Sequence, residues 1–163
     1  MKSVMARPVS IDEKVRQYYW QDDLNCATTT LRILSEIFSV TLSDQVLSAA
    51  IGMHGAGRYG AQCGLVEGTL MFLGIVGREH RLPEESIVDQ CREFARQFES
   101  TFHSLSCSRL RPEGFRKDNP PHICEKLTCT AIEFSRDFVS RWMEGEMARP
   151  DNLTASPAGN NAY

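Results

Sequence analysis

The stretch that organises the chain is 52–77, GMHGAGRYGAQCGLVEGTLMFLGIVG, which holds eight of the eleven glycines. Its first part contains Gly55, Gly57 and Gly60 and predicts a loop in which the backbone adopts positive φ angles. Its second part, 61–76, is mostly apolar and predicts a helix. We therefore expect a glycine-rich loop that leads directly into the central helix of the fold.

One cysteine, Cys63, falls in the first turn of that predicted helix. The partial positive charge of a helix N-terminus and the nearby Arg58 both favour a thiolate over a thiol. Gly60, Gly64 and Gly68 recur at every fourth residue and so mark one bare helix face. Such a face admits a close neighbour, which is either a helix packed backbone to backbone or a second cysteine or metal cluster beside Cys63.

Composition narrows the class of protein. The chain has 163 residues, a net charge of −3 and a pI near 5.8, which suits one domain with its own core and argues against a nucleic-acid partner. The N-terminus lacks the apolar segment of a secretory signal, and Glu67 interrupts the longest apolar run, so we expect no stable membrane insertion. We predict a cytoplasmic protein with one helical domain at 1–148 and a disordered tail at 149–163.

Apolar periodicity and capping residues predict six helices. Ser10 is the predicted cap of the first helix, Asp22 or Asp23 that of the second, and Pro83 the first residue of the fifth. No segment alternates like a β-strand. The predicted fold class is therefore all-α, a compact helical bundle of about five to six helices with a glycine-rich loop before the central helix. After the first helix, the expected spans are about 24–40, 45–53, 61–77, 83–102 and 122–147.

Four cysteines are predicted at helix starts or in the turn before one: Cys26, Cys63, Cys107 and Cys124. Their spacing is unlike the paired C-x-x-C of a zinc ribbon, so a shared site would have to be assembled by the tertiary fold. Cys91 and Cys129 lie on apolar stripes of predicted helices and are expected to be small buried core residues. In a cytoplasmic protein, cysteines are more often reduced, metal-bound or redox-active than paired in structural disulfides.

A distinctive set of segments comprises 25–27 (NCA), 55–68 (GAGRYGAQCGLVEG) and 70–74 (LMFLG), followed by Cys107 and Cys124. Together they resemble the C_GCAxxG_C_C family, which consists of small helical proteins defined by four cysteines and expected to be redox-active. The resemblance covers about residues 22–142. It implies that the family cysteines are Cys26, Cys63, Cys107 and Cys124.

One residue departs from the family pattern. The alanine usual after Cys-Gly is Leu65 here, and this bulkier side chain would narrow a pocket beside Cys63. Part of the split-Soret cytochromes, which carry haem and an iron-sulfur site, is similar to the same helical module. Because the chain lacks a C-x-x-C-H haem attachment motif, this second resemblance implies at most the iron-sulfur site.

The first functional hypothesis is that the four thiols bind an iron-sulfur cluster or another metal for electron transfer to a redox partner protein. The predicted catalytic residues and metal ligands are Cys26, Cys63, Cys107 and Cys124. The predicted cofactor-binding residues around them are Gly57, Arg58, Gly60 and Gly64.

Other hypotheses stay open. In a metal-free redox protein, Cys63 would attack as a thiolate and one of the other three cysteines would resolve the mixed disulfide. Segment 55–60 matches the G-x-G-x-x-G of a dinucleotide loop, but that loop must follow a β-strand and this one follows a predicted helix. A helical interaction module without chemistry is a further reading. The glycine face suits a homodimer contact as well as an internal one.

Overall fold

The computed structural model describes residues 8–149, which form an all-α fold, as predicted. No β-strand occurs in this range, and the one extended pairing is an isolated antiparallel bridge between Gln62 and Ser106. Except for Arg149, the predicted tail at 149–163 lies outside the described residues. The helices are α1 Ile11–Trp20, α2 Cys26–Phe38, α3 Asp44–Ala49, α4 Gly55–Arg58, α5 Gly64–Glu79, α6 Glu84–Phe102, α7 Cys107–Leu110 and α8 Glu125–Met147.

Capping residues set the starts of the first two helices. The Ser10 hydroxyl accepts a hydrogen bond from the Glu13 amide, so the predicted cap of α1 is confirmed. The predicted cap of α2 is wrong, because Asn25 accepts from the Thr28 amide at 3.0 Å in place of either aspartate. Asn25 has the extended backbone that an N-cap requires, whereas Asp23 has a positive φ of 48°. As a result, Cys26 is the first residue of α2.

The central helix α5 begins at Gly64, three residues later than the sequence predicts. The preceding residues are extended because they pair with the segment before α7. The Cys63 amide donates to the Leu105 carbonyl at 2.8 Å, and the Cys107 amide donates to the Ala61 carbonyl at 2.7 Å. Cys63 is therefore the N-cap of α5 and does not lie in its first turn.

Several residues of the glycine-rich segment adopt the left-handed backbone conformation, with a positive φ. Ala56 and Gly57 have positive φ inside the one-turn helix α4, and Arg58 follows with a φ of 71°. The helix predicted at 45–53 ends earlier, at Ala49, and continues as the 3₁₀ turn Ala50–Gly52. The match to a dinucleotide loop fails in this context, because the segment follows a 3₁₀ turn and a β-strand is required there.

The core is built around α5, which packs against α2, α6 and α8. On one side, Gly68 of α5 allows close approach to α2: a Cβ at this position would lie 2.6 Å from the Ala27 carbonyl oxygen. On the other side, aromatic rings from α6 and α8 interlock, with Phe94 in contact with Phe98 and Phe138. The close glycine contact holds the start of α5 against the start of α2, where two of the cysteines lie.

Across residues 8–149, none of the helices combines the length and the apolar character needed to cross a membrane.

Candidate functional site

Four cysteines that are far apart in the sequence line a single cavity of about 540 Å³: Cys26, Cys63, Cys107 and Cys124. These are the four that the family resemblance selects. The other two cysteines, Cys91 and Cys129, lie outside the cavity and are partly buried against the hydrophobic core. All six are free thiols.

The antiparallel bridge between Gln62 and Ser106 places two of these cysteines. In such a pairing, side chains alternate between the two faces, so the residues on either side of the bridge share a face. Cys63 follows Gln62 and Cys107 follows Ser106, and the two are diagonal neighbours on that shared face. The bridge therefore directs both thiols toward the cavity.

Cys26 reaches the site through the start of α2. The Asn25 side chain caps α2 and also donates to the Ile51 carbonyl at 3.1 Å, which fixes the chain at this point. The Cys26 sulfur lies directly over Gly64, where a Cβ would overlap it. Since Gly64 follows Cys63, the missing side chain leaves room for the Cys26 thiol beside Cys63.

A second glycine accommodates Cys107. A Cβ at Gly55 would lie 3.0 Å from the Cys107 sulfur, and Gly55 has a positive φ of 66°. Of the predicted cofactor-binding residues, Arg58 lines the cavity and Gly64 contacts Cys26. Gly60 packs against Ser108 and Phe115 of the segment that follows the bridge, whereas Gly57 has nothing within 4 Å of its Cβ position. The cofactor-binding role of these four residues stays a prediction.

Three cavity-lining side chains were not predicted to belong to the site. His54 and His122 line the cavity, as does Arg111. The His122 ring stacks on Tyr19 with the centroids 4.8 Å apart, and the His54 Nδ1 is buried without a hydrogen-bond partner. The sequence does carry a signal for Arg111, because it follows Cys107 by four residues, which is one helical turn.

The thiols do not form a site for a single metal ion as they stand. Among the histidine, cysteine, aspartate and glutamate side chains of residues 8–149, no group of three or more is arranged to hold one.

A protein-family model described as "Putative redox-active protein (C_GCAxxG_C_C)" matches residues 24–138, most of the chain. The chain belongs to the C_GCAxxG_C_C family. No curated protein and no solved structure matches it. The family match includes all four cavity cysteines.

The prediction of a low-pKa thiolate at Cys63 is wrong. Burial raises the pKa of the Cys63 thiol to about 12, even though the backbone amides of Leu65 and Val66 act in the opposite direction. Cys63 is 5% exposed, so the lost hydration of a thiolate outweighs the start of α5. Arg58 is not among the main causes of this pKa shift.

The pKa values of the other three C_GCAxxG_C_C cysteines are also raised. Burial raises the pKa of Cys26, and the charges of Cys63, Cys107 and Cys124 raise it further. Burial also raises the pKa of Cys107 and of Cys124, while the charge of Arg111 lowers both. The metal-free site therefore holds neutral thiols at neutral pH.

The raised pKa of Cys63 predicts a loss of stability in alkaline solution. An unfolded cysteine releases its proton near pH 8.5, whereas folded Cys63 keeps its proton until about pH 12, so the unfolded state is increasingly favoured between these values. At pH 10.5 this thiol alone should lower the free energy of unfolding by about 2 kcal/mol relative to pH 8. Urea unfolding of reduced, metal-free protein at both pH values measures the loss.

The matched variant for this measurement is Cys63→Ser, which has no thiol to titrate in either state. Its stability should decline less between pH 8 and pH 10.5 than that of the unsubstituted protein. Equal declines would show that the Cys63 thiol is not protected from ionisation by the fold.

Proposed function

We propose that this C_GCAxxG_C_C protein holds an iron-sulfur cluster on Cys26, Cys63, Cys107 and Cys124 and uses it to transfer single electrons. The observation that carries the proposal is that these four cysteines, and neither of the other two, line one cavity. Four thiolates are the usual ligand set for [2Fe–2S] and [4Fe–4S] clusters. The proposal includes a protein partner that exchanges electrons with the site in the cytoplasm.

The surroundings of the thiols support this donor set. Gly64 and Gly55 have no side chain, and the Cys26 and Cys107 thiols occupy the space that a Cβ would fill at these two positions. The amides at the start of α5 oppose the effect of burial on the pKa of Cys63, and amides so placed stabilise charge on a sulfur. The site thus combines exclusion of water with a few polar groups directed at the sulfurs.

In this proposal the cluster supplies one-electron redox chemistry when bound. The protein supplies the four ligands, and Asn25 and the Gln62–Ser106 bridge fix the chain beside three of them. Ligation requires each thiol to lose its proton, so loading releases protons and should be favoured by higher pH. Buried Tyr19 and Leu65 also line the cavity.

The metal-free alternative uses the same thiols. Its support is the contact of the Cys26 sulfur with Gly64, which places it beside Cys63. The pKa of Cys63 near 12 weighs against it, because disulfide exchange requires the attacking sulfur to be a thiolate. Both proposals require Cys63 to lose its proton, but in the cluster proposal the bound iron itself favours the thiolate, whereas the metal-free alternative needs another group to activate Cys63.

The proposal predicts which cysteines are needed for reconstitution with ferrous iron and sulfide under nitrogen. The unsubstituted protein should gain a brown colour with a broad visible absorption. Each of Cys26→Ser, Cys63→Ser, Cys107→Ser and Cys124→Ser should lose most of that absorption, because each removes one thiolate ligand. Cys91→Ser and Cys129→Ser are the matched controls and should reconstitute fully, since neither residue lines the cavity.

Equal colour in all six variants would contradict the ligand assignment. If the unsubstituted protein gains no colour, while mild oxidation lowers its thiol count by two and leaves the thiol count of Cys63→Ser unchanged, the metal-free alternative is correct.

A further inference from the structure

Arg111 lines the cysteine cavity and lies between Cys107 and Cys124 in the sequence. Arg111 immediately follows α7, and its amide donates to the Cys107 carbonyl at 2.9 Å. The chain lines the same cavity again at Phe115 and from Pro121 to Cys124. Arg111 thus lies at the start of the segment that joins two of the cavity cysteines.

The guanidinium of Arg111 is held by its own loop. Its Nε donates to the Gly114 carbonyl at 2.9 Å, and its Cζ lies 4.9 Å from the centroid of the Phe115 ring. Over residues 8–149, no carboxylate comes within ion-pair distance of it. No ion pair therefore offsets the effect of this cation on nearby groups.

The nearby groups on which it acts are sulfurs. Arg111 lines the same cavity as Cys107 and Cys124, and it is half-buried there, whereas Arg58, which also lines the cavity, is exposed. In agreement with this placement, the charge of Arg111 lowers the pKa of both thiols. For both thiols this opposes the larger effect of burial on the pKa. The sequence alone pointed to Arg58 for this role, and Arg58 is not among the main causes of the pKa shift of Cys63.

We propose that Arg111 is the positioning residue that sets the charge balance of the site: its fixed guanidinium compensates the negative charge on Cys107 and Cys124 and raises the reduction potential of the bound cluster. This inference rests on the proposed function. An added electron makes the site more negative, so a nearby positive charge stabilises the reduced state. Loss of that charge should therefore lower the potential.

The test is a redox titration of the reconstituted protein, with dithionite as the one-electron reductant, soluble mediators and the visible absorption as readout. In Arg111→Gln the equilibrium constant for reduction should fall about tenfold, which corresponds to a potential about 59 mV lower. Arg111→Lys retains a charge and should stay close to the unsubstituted protein. Arg109→Gln is the matched control, because Arg109 is an exposed arginine of α7 that does not line the cavity.

Equal potentials for Arg111→Gln and the unsubstituted protein would overturn the inference and leave the proposed function intact. A role confined to holding the loop would instead lower the stability of Arg111→Gln and Arg111→Lys alike without moving the potential of either. If the unsubstituted protein takes up no iron and sulfide, the proposed function fails, and the inference that depends on it fails with it.

Discussion

Replacement of Gly68 by alanine should destabilise the protein by about 2–3 kcal/mol. A Cβ at this position would lie 2.6 Å from the Ala27 carbonyl oxygen and 2.9 Å from the Thr30 Cβ, both on α2. The first of these atoms belongs to the backbone of a helix, so it cannot turn away as a flexible side chain can. Relief of the overlap requires α2 and α5 to separate, and overpacking of this kind typically costs about 1–3 kcal/mol.

The matched control is Gly74→Ala, on the same helix α5 with nothing within 4 Å of its Cβ position. Alanine is favoured over glycine inside a helix by up to about 1 kcal/mol, so this variant should be as stable as the unsubstituted protein or more so. Urea unfolding of the metal-free proteins at neutral pH measures both. Equal stability of Gly68→Ala and Gly74→Ala would contradict the close approach of α2 and α5.

The second large effect is expected at Gly64, where alanine should displace one of the four cysteines from the site. The added methyl group would overlap the Cys26 sulfur and would lie 3.0 Å from the Ala27 nitrogen and 3.2 Å from the His54 Cα. The thiol of Cys26 is the easiest of these to displace, because a single rotation about χ1 moves it out of the cavity. Loss of one of four ligands should reduce iron and sulfide uptake on the order of tenfold.

Uptake should be compared in Gly64→Ala and Gly74→Ala after anaerobic reconstitution, with circular dichroism to establish that both are folded. Gly74→Ala should take up as much iron as the unsubstituted protein. Full uptake by Gly64→Ala would mean that Cys26 does not bind from the position it occupies beside Cys63.

Local signals in the sequence predicted much of the fold. The N-cap residue Ser10 correctly predicted the start of α1, and apolar periodicity predicted the span of α6, which begins directly after Pro83. The glycine stripe correctly indicated close packing for Gly64 and Gly68, which contact α2, but Gly60 lies before α5 and is not part of that helix face. These features depend on residues within one or two helical turns of each other, where spacing alone carries the information.

The features that sequence reasoning missed depend on contacts between distant segments. The start of α5 at Gly64 follows from hydrogen bonds to residues near Cys107, and no pattern around Cys63 reveals that pairing. The thiolate prediction failed for a similar reason: it counted the helix dipole, which is local, and left out burial, which the whole fold creates. The four cysteines could be selected by resemblance, but only the fold brings them to one cavity.

The central claim is that the four cavity cysteines hold an iron-sulfur cluster. The most direct measurement is the content of iron and acid-labile sulfide, with a visible spectrum, of the protein purified without exposure to oxygen. The account predicts iron and sulfide in nearly equal amounts and a visible absorption that the Cys63→Ser variant lacks. Colourless protein that contains neither iron nor sulfide after anaerobic purification and reconstitution would contradict it.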